Sequence, residues 1–178
     1  YEAENHSGIT HFVEHMIFKG TPTRTASEIA CSFDRIGGYV NAFTERELVC
    51  LHCVVPAQYA EFALEILTDM THNALFLEQD VNKERSVIES EIISAQDDPE
   101  EACLDTVIDC VFPENPLSKN ICGTLDTVKN LSPTDLKNWY IKYFKEGELL
   151  ITVAGNFDES RILSEVEEYS ARKEAKVF

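Results

Sequence analysis

Two histidines and a glutamate in HFVEH, residues 11–15, have the types and spacing to hold a metal ion and use it. On a helix, His11 and His15 are four apart and project from one face, one turn above the other, so two imidazole nitrogens can converge on one ion. Glu14 follows His11 by three and borders the same point without needing to ligate, the position of a general base that takes a proton from metal-activated water. Histidine pairs beside a glutamate also arise by chance on helix surfaces, so the pattern needs a third ligand. A catalytic zinc takes three protein ligands and leaves its fourth position open.

The segment KERSVIESEI, residues 83–92, offers three carboxylates, and helical phase separates them. At about 100° per residue, Glu84 and Glu91 fall within about 20° of each other, on the side of Val87 and Ile88, while Glu89 points away. Burying a carboxylate without compensation costs several kcal/mol, so acids on an apolar stripe imply a cation or a hydrogen-bond network. The two are about 10.5 Å apart along the axis, too far for both to bind one ion directly. One is expected to ligate and the other to orient a histidine or bear on the water.

These residues must be carried by regular elements. Residues 7–19 read as a helix with Ser7 as its N-cap, ended by Gly20, and residues 27–36 as a second helix stopped at Gly37 and Gly38. YVNAFTERELVCLHCVVP, residues 39–56, reads as two strands around a polar ERE connection. Residues 57–73 and 78–95 carry helical spacing, the second closed by QDDPE. A helix over 101–112, a loop over 113–124 and a helix opened by Ser132 and Pro133 and running to about 145 follow. LLITVAGNF reads as a buried strand ending at Gly155, and 158–171 as a last amphipathic helix. The class is α+β, with helices packed on one face of a mixed, largely antiparallel sheet.

The bulk properties exclude several functions. With 178 residues, 44% hydrophobic and 26% charged, the chain suits one globular domain, and no apolar run approaches the ~20 residues of a membrane span. Fifteen basic against 32 acidic residues give a formal charge of −17, which repels nucleic acid and anionic membrane and attracts cationic peptides. Cys50 and Cys53 alternate on a strand and point to opposite faces, and Cys31, Cys103, Cys110 and Cys122 read as small buried hydrophobes, so no disulfide framework is expected. That usage, with no leader pattern in YEAENHSGIT, points to the cytoplasm, or to the mitochondrial matrix if a transit segment has been lost.

HFVEH matches the inverted zincin pattern HxxEH. With GITHFVEHMIFKGT, GGYVNAFTERE, ERSVIESEI and LLITVAGNF in that order, the chain resembles the N-terminal catalytic domain of the pitrilysin/insulinase family of zinc metallopeptidases. Mitochondrial processing peptidases of the beta type and bacterial processing peptidases belong to that family. The resemblance implies zinc held by His11, His15 and Glu91, Glu14 as the base, Glu84 as a supporting acid, and a substrate peptide paired along the GGYVNAF strand near Asn41 and Ala42. It implies hydrolysis of unfolded or basic peptides, or of presequences. It also implies that residues 1–178 form one zinc-bearing half, truncated at its N-terminus, which works with a second homologous domain or subunit.

Overall fold

The computed structural model describes the backbone of residues 2–174; of the span 1–178 expected to form one domain, Tyr1 and residues 175–178 lie outside the described residues. Helices α1 (Ile9–Ile17), α2 (Ala26–Arg35), α3 (Ala60–Asn73), α4 (Glu78–Asp97), α5 (Pro99–Val111), α6 (Leu125–Asn130), α7 (Pro133–Tyr140) and α8 (Glu159–Glu174) accompany a hairpin of β1 (Tyr39–Thr44) and β2 (Val49–Val54). The chain is therefore α+β and mostly helical, its sheet a two-stranded hairpin closed where Glu45 N–H donates to the Leu48 carbonyl at 2.8 Å. α6 is an element that the sequence pattern does not announce, and α7 continues as a π-helical turn, Ile141–Lys145, before the chain leaves the helix.

The expected strand over LLITVAGNF is not part of a sheet among the described residues. Its apolar run has the composition of a strand, but a strand is made by ladder hydrogen bonds to a neighbour, and Leu150 stands 86% exposed. No helix among the described residues is long and apolar enough to cross a membrane.

The chain divides into two compact units. Among the described residues, one comprises 2–16 with Phe43–Cys50 and Phe76–Trp139; the other comprises Ile17–Ala42, Leu51–Leu75 and 140–174. In the first, α1 buries Ile9, Phe12, Val13 and Met16, and α4 buries Val81, Glu84, Ile88 and Ile92. Each large apolar side chain so removed from water stabilises the unit by about 1.5–3 kcal/mol. Arg85 ties α4 to its neighbours: its guanidinium lies over the Phe12 ring, 5.5 Å from the centroid, and donates to the Val128 and Leu131 carbonyls at the end of α6, the second at 2.7 Å.

The start of α1 corrects the expected cap. Glu2, not Ser7, satisfies its first amides, with Oε2 accepting from Gly8 N–H at 2.9 Å and Oε1 from Thr10 N–H at 3.0 Å. Gly8 (φ +88°) and Gly123 (φ +75°) pack backbone on backbone; a Cβ on Gly8 would stand 2.4 Å from the Cys122 carbonyl oxygen, so only glycine fits there.

In the second unit Ile29, Phe33, Ala63, Ile66 and Met70 form a buried cluster, with Val40, Leu51 and Cys53 packed against it. Thr25 opens α2 through a capping box with Glu28. The loop before it is held by Asp69, whose Oδ2 accepts from the Thr21 hydroxyl at 2.7 Å and from Arg24 at 3.0 Å. All six cysteines are free, but Cys103 and Cys110 are exposed rather than buried, because α5 buries none of its residues.

Candidate metal centre

α1 brings His11 and His15 onto one face because its register is fixed by its buried side: Phe12, Val13 and Met16 point into the core, leaving the two rings half-buried beside them. The Nε2 atoms of the two rings stand 3.2 Å apart. α4 supplies Glu91, whose Oε2 lies 3.4 Å from Nε2 of His15 and 3.8 Å from Nε2 of His11. Among the described residues these three side chains form the group of potential ligand atoms lying within 4.8 Å of one another.

The triangle suits a zinc ion. With zinc bonds of about 2.0–2.1 Å, neighbouring donors of a tetrahedron are about 3.3–3.4 Å apart, close to the 3.2, 3.4 and 3.8 Å found here. Glu84 Oε2 stands 3.1 Å from His15 Nδ1. A carboxylate accepts, so the ring's hydrogen sits on Nδ1 and its lone pair on Nε2, turned toward His11 and Glu91. Such facing lone pairs repel unless a proton or cation lies between them. Burial, and then the proximity of His15, pulls the His11 imidazole down to about 4, which leaves it uncharged at neutral pH. Its Nδ1 is buried without a hydrogen-bond partner among the described residues.

Glu14 lies on the inner side of the same helix and is buried. Burial raises its carboxyl above the usual range, opposed by the Thr44 hydroxyl and by His15, with Glu91 adding to the rise. The Thr44 hydroxyl, at the end of β1, donates to Glu14 Oε2. Thr44 was absent from the residues read from the sequence, although it sits inside GGYVNAFTERE, and so was Glu2. Local spacing carries no signal for a hydroxyl thirty residues from its carboxylate.

α4 separates its two acids as their axial distance requires: Glu84 is buried against His15, and the Glu91 side chain is 44% exposed. Ile88 shares the buried stripe, whereas Val87, placed there from phase alone, is exposed. A cavity of about 410 Å³ is lined by Ile92, Gln96, Asp105, Thr106, Asp109 and Asn120. Asp105 is shared by Asn120 Nδ2 at 2.6 Å and Arg46 at 3.4 Å. The surroundings are negative: burial, then Glu91, Glu101, Asp105 and Glu14, pushes the Cys122 thiol up to about 11.

Asn41 and Ala42 lie on β1 in the second unit, Asn41 exposed and Ala42 half-buried. Ala42 N–H donates to Asn41 Oδ1 at 2.9 Å, so that amide is engaged by its neighbour's side chain. One edge of β1 is taken by β2, and the other is unpaired among the described residues.

Comparison with known proteins adds relatives to this geometry. The family model for "Insulinase (Peptidase family M16)" matches residues 1–125. An uncharacterized zinc protease of Rickettsia felis is 38% identical over 167 residues, which are 94% of this chain and 40% of that protein. Among solved structures, a protease from Helicobacter pylori superposes with a TM-score of 0.86 at 21% identity, over 94% of this chain and 41% of that one. The first half of the periplasmic protease PqqL from Escherichia coli superposes with a TM-score of 0.80 at 25% identity, over 94% and 37% of the two chains. The chain spans about two fifths of the length of the curated relatives it matches.

Proposed function

The chain belongs to the insulinase family of peptidases, family M16, and we propose that it is the zinc-bearing part of an endopeptidase that hydrolyses unfolded, basic peptides. The observation that carries this reading is the convergence of His11 Nε2, His15 Nε2 and Glu91 Oε2, with Glu14 buried on the same helix. His11, His15 and Glu91 would hold the zinc. Bound there, zinc supplies Lewis acidity, polarising a scissile carbonyl and lowering the pKa of water toward ~7.

The remaining steps belong to the chain's own groups. Glu14 takes the proton of the attacking water on its carboxylate and returns it to the leaving amine. Glu84 holds the His15 ring by its Nδ1, keeping Nε2 aimed at the metal. The unpaired edge of β1, with Asn41 and Ala42, takes up the substrate as an added strand, in which backbone pairing gives affinity without demanding sequence. Asp109 in the cavity beside Ile92 and Gln96, and the net charge of −17, favour cationic side chains. The part of the assembly that closes the site over a peptide is a second homologous domain or subunit, a reading supported by the share of its relatives that this chain spans.

The test compares wild type and Glu14→Gln, each with its partner half, for bound zinc and for cleavage of a quenched basic peptide. Both proteins should bind about one zinc, and the variant should lose about 10²–10⁴-fold in kcat. A wild type that binds no zinc sinks the proposal, and zinc without cleavage in the assembled protein reduces the site to a structural one.

A further inference from the structure

We infer that Thr44 is a positioning residue for the reaction, holding one oxygen of the Glu14 carboxylate so that the other faces the water. The inference rests on the reading of Glu14 as the base. Its geometry is independent of any metal: the Thr44 hydroxyl donates to Oε2 of Glu14, and Oε1 is left to take the proton.

Three features make this bond more than a passing contact. Glu14 is buried, 8% exposed, so water does not readily replace a lost donor at Oε2. Thr44 is the last residue of β1, and its position is set by the hairpin, where the backbone turns at Glu45 and Leu48. Arg46, two residues on, is anchored by donating from Nε to the Leu117 carbonyl at 2.8 Å, which holds the turn to the loop before Gly123. The hydroxyl is therefore delivered by two fixed structures, a strand end and an anchored turn, to a carboxylate carried on a third, α1. A carboxylate torsion is broad and nearly two-fold, so without such a donor the two oxygens of Glu14 exchange roles and the proton acceptor loses a defined direction.

Threonine suits the task because its branched Cβ restricts the hydroxyl to few rotamers in a strand. Valine keeps the shape and removes the donor; serine keeps the donor and loosens the rotamer.

The experiment measures peptide cleavage, bound zinc and thermal unfolding for wild type, Thr44→Val, Thr44→Ser, Glu14→Gln and the double variant Thr44→Val/Glu14→Gln, in the assembled enzyme. Thr44→Val should lower kcat by about 10-fold or more with KM and zinc content unchanged, the loss of one charge-assisted hydrogen bond. Thr44→Ser should restore most of kcat, and Thr44→Val should cost nothing further on the Glu14→Gln background. In metal-free protein the melting temperatures of the four-member cycle should be non-additive, a readout of the bond that does not depend on activity. Additive melting temperatures, or a Thr44→Val enzyme that cleaves as wild type does, overturn the inference while leaving Glu14 as the base. A fall in kcat that serine does not rescue, or that comes with lost zinc, overturns it as well by making Thr44 a packing residue. A wild type without zinc-dependent cleavage overturns both readings together.

Discussion

α4 buries Val81, Glu84, Ile88 and Ile92, whereas α5, which follows it after Asp98 and packs against it, buries none of its residues and leaves Leu104, Val107 and Val111 at 58%, 51% and 61% exposure. Both helices carry apolar residues at helical spacing, and both are rich in acids. On α4 the stripe meets α6 and the Arg85 anchor, and the acid within it meets His15. On α5 the apolar positions face no comparable cover among the described residues. Spacing thus tells which residues could share a face, and a neighbouring element decides whether that face is worth anything.

The difference between the two helices has its largest consequence at Glu91. Glu91→Ala removes the carboxylate that α4 supplies to the two histidines, and it should reduce zinc affinity by more than the ~10–100-fold typical of outer supporting groups, with cleavage falling to background. Metal content after dialysis measures it, and a variant that keeps its zinc would show that α4 serves the fold alone. A smaller effect separates the helices by stability. Ile88→Ala, at a fully buried position, should cost about 2–5 kcal/mol in chemical unfolding, and Leu104→Ala on α5 should stay within about 0.5 kcal/mol. If the two substitutions cost the same, α5 is covered by another surface in the working protein.

Legibility followed the range of the interaction. The ligand spacing of His11 and His15, the phase that brought Glu84 and Glu91 to one side of a helix, and the hairpin around Glu45–Leu48 all depend on residues within one or two turns of each other, where backbone geometry is repetitive. Val87 was misplaced because the stripe was centred on the wrong side of the acids: Val81, Ile88 and Ile92 are buried, and Val87, about 100° from Ile88 on the helical wheel, falls on the flank and is 43% exposed. Cys103 and Cys110 are exposed for a different reason, since α5 buries none of its residues. The apolar segment 149–154 had the composition of a strand but needs a partner for its amides, and composition does not contain one.

By itself the sequence determined the chemistry available here: two imidazoles four apart, a carboxylate three after the first, and a second helix with acids in its apolar stripe. Those are local consequences of a 3.6-residue period. Helical spacing left open which of Glu84 and Glu91 faces both Nε2 atoms, and only the family resemblance named Glu91; the tertiary structure turns Glu91 to them and Glu84 to His15 Nδ1, and it alone decided that Glu2 caps α1 and that the Thr44 hydroxyl reaches Glu14. Three of these, at His15, Glu84, Glu91, Glu14 and Thr44, join residues thirty or more apart in sequence, and burial acts on area without regard to sequence distance. Which polar groups meet at the edge of such a core is therefore settled only when the core has packed.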